Sequence, residues 1–284
     1  MGTARLNEKA VLVSLKIRKY GISKEDKDIS LEVARNHQAS STDAGKYLAN
    51  KFNKNAFKKI SAIEVQARNY HLEATLPWAN EGQRMLPSKR YLPYMTEIKQ
   101  IESEFWAERD ALVAKLKDLV EEAKTLRGNM FNPNQYPTED EFKNSFEFRI
   151  KVLPIPEVKD FRIDLADEEI DAMKSEMEEE LRLIQADGVK TVYNRLYEVV
   201  KRMANTLSQE DKQFHKSMVG NIKELCDALP DFNIYNDQNL ENLRQEVMEK
   251  LVTEDIDSLR TDLELRKDVA TDAEEILKKM EGYC

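Results

Sequence analysis

Glycine and proline are scarce, with eight of each in 284 residues. A β-sandwich or barrel needs turn residues roughly every ten positions. The shortage therefore excludes a strand-rich architecture and leaves long helices with few turns. Cysteine is scarcer still. Cys226 and Cys284 supply no disulfide framework and no paired metal spacing, which suits a reducing compartment, and they read as a small buried apolar residue and a tail thiol. His37, His71 and His215 are too scattered for a zinc-hydrolase pair or a local Cys–His couple. There is no P-loop and no glycine-rich turn to cradle a phosphate or dinucleotide. The chain also lacks an apolar run of about 18 residues, and its first residues alternate with charges, unlike a signal peptide. These absences predict a binding protein rather than an enzyme, with no metal, no cofactor and no membrane span, in a cytoplasmic setting.

Charge is plentiful. Charged residues make up 34% of the chain and hydrophobic ones 41%, enough for a real core. The net charge of −9 argues at first against phosphate binding, which needs clustered Lys and Arg. The average conceals a polarity: residues 1–100 carry 18 Lys and Arg against 10 Asp and Glu, a net +8, and the remainder carries 26 against 43, a net −17. Such asymmetry suggests a polyanion site toward one end and a separate acidic face toward the other.

Val11, Val13, Leu15 and Ile17 recur with a period of two and predict a strand that Gly21 ends. Phe146, Phe148, Ile150 and Val152 predict a second, stopped at Pro154, and Phe161, Ile163 and Leu165 a third. One small sheet built from them would close residues 11–165 into a unit. Helices are expected from 42 to 74, capped by Thr42 or Asp43, and from Pro93 onward. In the second, Tyr91, Ile98, Phe105, Leu112, Leu119 and Leu126 recur every seven residues before a stop at Gly128. Further helices are predicted over 167–207, where Gly188 interrupts the apolar phase, over Met218–Leu229, ending before Pro230, and from Leu240 to Met280 after a linker at 230–239. The acids Asp167, Glu168 and Glu169 suit a helix N-terminus, and Glu178, Glu179 and Glu180 a solvated face. The expected fold is mainly α with a small antiparallel β-sheet (α+β), its long helices packed as an elongated bundle. The expected domains are a mixed, basic, nucleic-acid-binding one over 1–165 and an acidic helical one over 166–284.

From 46 to 94 cations interleave with rings at Tyr47, Phe52, Phe57, Tyr70, Trp78, Tyr91 and Tyr94. Cations can follow a phosphate backbone while rings stack on the bases that a single strand exposes and a duplex hides. The candidate nucleic-acid contacts are Lys46, Lys51, Lys54, Lys58, Lys59, Arg68, Arg84, Lys89 and Arg90, with Tyr70, Trp78 and Tyr91 as stacking rings. On a helix, Lys51, Lys54 and Lys58 would share one face with Lys59 beside it. The same pattern also describes an ordinary amphipathic helix, with Phe52 and Phe57 in the core, the lysines in water and Trp78 as a packing plug.

The strings Thr75-Leu76-Pro77-Trp78, Gly82-Gln83-Arg84-Met85-Leu86-Pro87 with Tyr91, and Asp160-Phe161-Arg162-Ile163-Asp164-Leu165 resemble a family of phage proteins. With the helical layout, residues 11–165 look similar to the single-stranded DNA-binding RNA polymerase cofactors of short-tailed lytic phages. The resemblance implies a single-stranded DNA binder unlike the five-stranded barrel, acting in the host cell cytoplasm beside a phage RNA polymerase. A second copy of the chain stands as a further partner. Two other readings use the acidic helices instead: a helical adaptor or scaffold that docks a phage or host protein without nucleic acid, and an inhibitor whose carboxylates imitate DNA charge.

Overall fold

The computed structural model describes residues 6–39, 45–79, 82–156, 167–209, 217–252 and 256–283. In chain order the elements are α1 (Leu6–Lys9), β1 (Ala10–Arg18), β2 (Ser23–Glu25), α2 (Lys27–Asn36), β3 (Leu48–Asn50), α3 (Lys58–Ala74), β4 (Leu76–Pro77) and β5 (Arg84–Pro87). There follow α4 (Tyr91–Ala114), α5 (Leu116–Arg127), α6 (Glu139–Asn144), β6 (Glu147–Leu153), α7 (Asp167–Leu207), α8 (Ser217–Phe232), α9 (Gln238–Leu251), α10 (Ile256–Thr261) and α11 (Leu263–Met280). The protein is mainly helical, with a four-stranded antiparallel sheet of order β4-β5-β1-β6 and a two-stranded ribbon of β2 and β3. The strands expected near 11–17 and 146–152 are β1 and β6; the one expected over 161–165 lies outside the described residues.

Contacts divide the chain into two units that interleave in sequence. A C-terminal unit takes residues 1–14, 74–92 and 152–284, and an inserted unit takes 15–73 and 93–151. This differs from a boundary at 165, and the reason is burial: Leu6, Leu12, Leu76 and Met85 share one apolar cluster with Val192, Leu196 and Ile222 of the C-terminal helices. Grouped by unit, the charge is less polarised than it is between the linear parts of the chain. The inserted unit holds 21 Lys and Arg against 19 Asp and Glu, a net +2, and the C-terminal unit 23 against 34, a net −11.

In the C-terminal unit, α7 runs unbroken through Gly188. A Cβ there would lie 3.2 Å from Cε2 and 3.3 Å from the hydroxyl of Tyr235, so the glycine serves a close approach rather than a break. α8 passes Pro230 and ends at Phe232, whose ring has the guanidinium groups of Arg90 and Arg195 over it, at 4.7 and 4.6 Å. The stretch expected as one helix from 240 to 280 is interrupted. Asp262 caps α11 by accepting from the amides of Glu264 and Leu265 at 3.0 and 3.1 Å, as Asp237 caps α9.

In the inserted unit, the seven-residue stripe supplies the core. Ile98, Phe105, Leu112 and Leu119 are buried, as are Tyr94, Ile101, Leu116 and Ala123. The helix breaks at Lys115, and Leu126 at the end of the stripe is 63% exposed. Gly128, at φ 50°, closes α5 as expected, its amide bonded to the Lys124 carbonyl. Phe52 and Phe57 are core residues packed with Phe142. The helix expected from 42 to 74 starts only at Lys58. Before it, the amide of Lys51 donates to the Ile22 carbonyl (2.7 Å) and that of Asp26 to the Tyr47 carbonyl (3.0 Å), closing the β2–β3 ribbon. Asn53 then caps a short 3-10 turn over Lys54–Phe57.

Candidate nucleic-acid interface

The ribbon places Tyr47 and Lys51 on one side of a cleft of about 400 Å³, with the end of α5 and Met130 on the other. The mouth is apolar and aromatic. Tyr47, Leu126 and Met130 are exposed, and the Tyr47 hydroxyl lies 3.9 Å from the Met130 sulfur. Asn50, Asn53, Lys54 and Asn55 complete one wall; the Asn53 amide donates to Glu122 at 2.6 Å.

The floor is charged and buried. Asp26, in the turn before α2, accepts from Ile29 as that helix's N-cap and holds Arg127 at 2.8 Å and Lys51 at 3.7 Å. Their side chains are 3%, 7% and 1% exposed. Gln135 accepts from both cations. Two buried cations thus share one carboxylate. Burial acts to raise the Asp26 pKa, but the Arg127 hydrogen bond, the Ile29 amide and the Lys51 charge outweigh it and hold the carboxyl below its usual range. The Lys51 pKa is lowered as well, which for a lysine disfavours the charged form: burial, and then the Arg127 charge, outweigh the opposing pull of Asp26. An anion entering this cleft would find a floor with more positive than negative charge.

The twelve residues expected to contact nucleic acid divide between the two units. Lys46, Lys51, Lys54, Lys58, Lys59, Arg68 and Tyr70 lie in the inserted unit, and Trp78, Arg84, Lys89, Arg90 and Tyr91 in the C-terminal unit. Lys51 does not join a surface stripe, because it precedes α3 and is buried against Asp26. Lys59 is bound to Glu108 at 2.6 Å, and Arg68 to Glu64 and the Ile17 carbonyl, each at 3.0 Å. Lys46 lies 3.5 Å from Glu25 but stays exposed. Tyr70 stacks on Tyr94, centroids 5.8 Å apart, with its hydroxyl on the Pro93 carbonyl. The Arg84 guanidinium donates to the side-chain oxygen and to the carbonyl of Thr75. Arg90 covers Phe232 and lies 3.9 Å from Asp231. Trp78 and Tyr91 are half-buried, with Trp78 against the core cluster. Lys54, Lys58 and Lys89 are exposed with no carboxylate within 4 Å among the described residues.

Sequence reasoning passed over Asp26, Arg127 and Gln135, whose association spans more than a hundred residues, and gave Tyr47 no role as a contact. The local signals were a ring beside three closely spaced asparagines and a last heptad leucine with no partner. No group of three metal-ligating side chains occurs among the described residues, and no described helix is long and apolar enough to cross a membrane. No protein-family model matches the chain, and comparison with curated proteins and with solved structures gives no match.

Proposed function

We propose that the chain binds single-stranded DNA through the cleft of the inserted unit and holds it without chemical change. The observation that carries this reading is the pair of buried cations, Lys51 and Arg127, sharing the one carboxylate of Asp26 beneath a mouth that contains Tyr47. A phosphate entering the cleft supplies the charge the floor lacks and restores a favourable partner to Lys51. A base can stack on Tyr47, a contact worth about 1–3 kcal/mol. The amides of Asn50 and Asn55 can donate to and accept from its edge. The volume, within the range of roughly 300–1,000 Å³ typical of small-ligand sites, suits an unstacked nucleotide and not a duplex. Lys54 at the rim, with exposed Lys46 and Lys58 on the same unit, would extend the path along the backbone. The aid to a phage RNA polymerase that the resemblance implies would follow from such binding.

Fluorescence anisotropy with labelled oligothymidylate and with a duplex tests the reading. Single strands are expected to bind more tightly, with affinity falling as salt rises. Lys54→Ala should shallow the log–log salt slope by about 0.7. Tyr47→Ala should cost about 1–3 kcal/mol. Equal or tighter duplex binding, or no salt-sensitive binding to either, contradicts the proposal.

A further inference from the structure

We propose that the first turns of α7, together with Trp78, form a docking surface for a basic amphipathic helix of a protein partner. This surface belongs to the C-terminal unit and does not depend on DNA binding by the inserted one. From Asp167 to Glu180 the helix carries eight carboxylates and one lysine. None of residues 168–180 is buried, whereas from Leu181 onward the same helix feeds the core at Ile184, Val192 and Leu196. Ile170, Met173 and Met177, at i, i+3 and i+7, form a half-buried apolar stripe along this stretch. A solvated acidic helix has no need of that stripe, and unbranched methionines adapt to varied partners.

The stripe leads to a cleft of about 360 Å³ formed by Pro77, Trp78, Leu183 and Ile184, with Glu180 and Asp187 among its lining residues. Leu183 is 55% exposed. An indole and two aliphatic side chains beside two carboxylates fit the stem and head of a lysine or arginine, through apolar contact, cation–π attraction and ion pairing. The two cations nearest this stretch are paired within the helix: Lys174 lies 3.2 Å from Asp171 and Arg182 2.6 Å from Glu179. Glu176, Glu178 and Glu180 have no cation within 4 Å among the described residues. Charge complementarity therefore selects a basic partner, and the helical spacing of the stripe selects a helix, laid with its apolar face on Ile170, Met173 and Met177.

The probe is a synthetic Lys/Leu amphipathic peptide of about five turns, with a Glu/Leu peptide of the same pattern as control. The full chain carries Trp106→Phe, so that emission reports Trp78. The Lys/Leu peptide is expected to shift that emission and to bind at least about tenfold more weakly to Glu180→Lys and to Leu183→Glu. The second variant is decisive, because it adds negative charge while removing the exposed apolar lip: binding by charge alone predicts equal or tighter association. Unchanged or tighter binding by Leu183→Glu, an unmoved Trp78 signal, or equal binding of the Glu/Leu peptide overturns the proposal. So does concentration-dependent self-association in sedimentation that Leu183→Glu abolishes and the Lys/Leu peptide cannot displace, which would make a second copy the occupant.

Discussion

Asp26→Asn removes the carboxylate that Lys51 and Arg127 share, and Lys51→Met removes one of the two cations. Asp26→Asn should destabilise the protein and Lys51→Met should not. Asparagine keeps the side-chain oxygen that accepts from Ile29 at the start of α2, so the first variant reports charge rather than the loss of a cap. Removing one partner of a buried ion pair costs about 3–5 kcal/mol, and here the two cations left behind also repel each other. In Lys51→Met the Asp26–Arg127 contact at 2.8 Å survives and an apolar chain of similar length fills the same space. Such replacements range from neutral to stabilising by roughly 1–4 kcal/mol. Urea unfolding followed by Trp106 fluorescence in a Trp78→Phe background reports the inserted unit. The pH dependence gives a second check. Asp26 has a lowered folded pKa, so its stabilisation is present above the ordinary carboxylate range and is lost as pH falls through the folded value. Lys51 is also lowered, so it costs stability at neutral pH, and that cost is relieved as pH rises through its folded pKa toward the ordinary lysine value. Lys51→Met should flatten the alkaline rise and Asp26→Asn the acid loss. If Lys51→Met is as damaging as Asp26→Asn, Lys51 is a fully compensated ion and the floor has no excess charge to offer a phosphate.

Gly188→Ala should destabilise by about 1–3 kcal/mol despite the better helix propensity of alanine, because the new methyl meets the Tyr235 ring at 3.2 Å. In a Tyr235→Leu background the same change should turn neutral or favourable, as thermal unfolding would show. Burial pushes the Cys226 thiol up to about 11. Its thiolate is then scarcer by about 100-fold than at the ordinary value, so peptide-mapped alkylation at Cys226 should be correspondingly slow in native protein and fast in urea.

Period alone revealed those elements whose partners matter little to their form. Val11 to Ile17 gave β1, Phe146 to Val152 gave β6, and the apolar spacing from Ile170 to Met203 gave α7 over its full length. Gly128 marked a stop that its positive φ confirms. The failures have physical causes. Ser23–Glu25 is too polar to read as a strand, yet it pairs with Leu48–Asn50 through bonds between distant residues, and this displaces the helix expected before Lys58. Lysine at 51 reads as surface because burying an ammonium is costly; only the approach of Asp26 and Gln135 makes it tolerable here. The counted charge of the first hundred residues was distributed by the fold between two units, and several of its cations spend their charge on Glu64, Glu108 and Asp231. Leu126, read as the last member of a core stripe, instead lies exposed at the cleft.

Photo-crosslinking with an oligothymidylate bearing 4-thiothymidine, followed by peptide mapping, tests the central claim most directly. Crosslinks should fall within residues 47–55 and 123–130, and should diminish when Tyr47 is replaced by Ala or when excess unlabelled single strand competes. Crosslinks confined to the C-terminal unit, or none above those of a duplex control, would contradict the cleft as the DNA site.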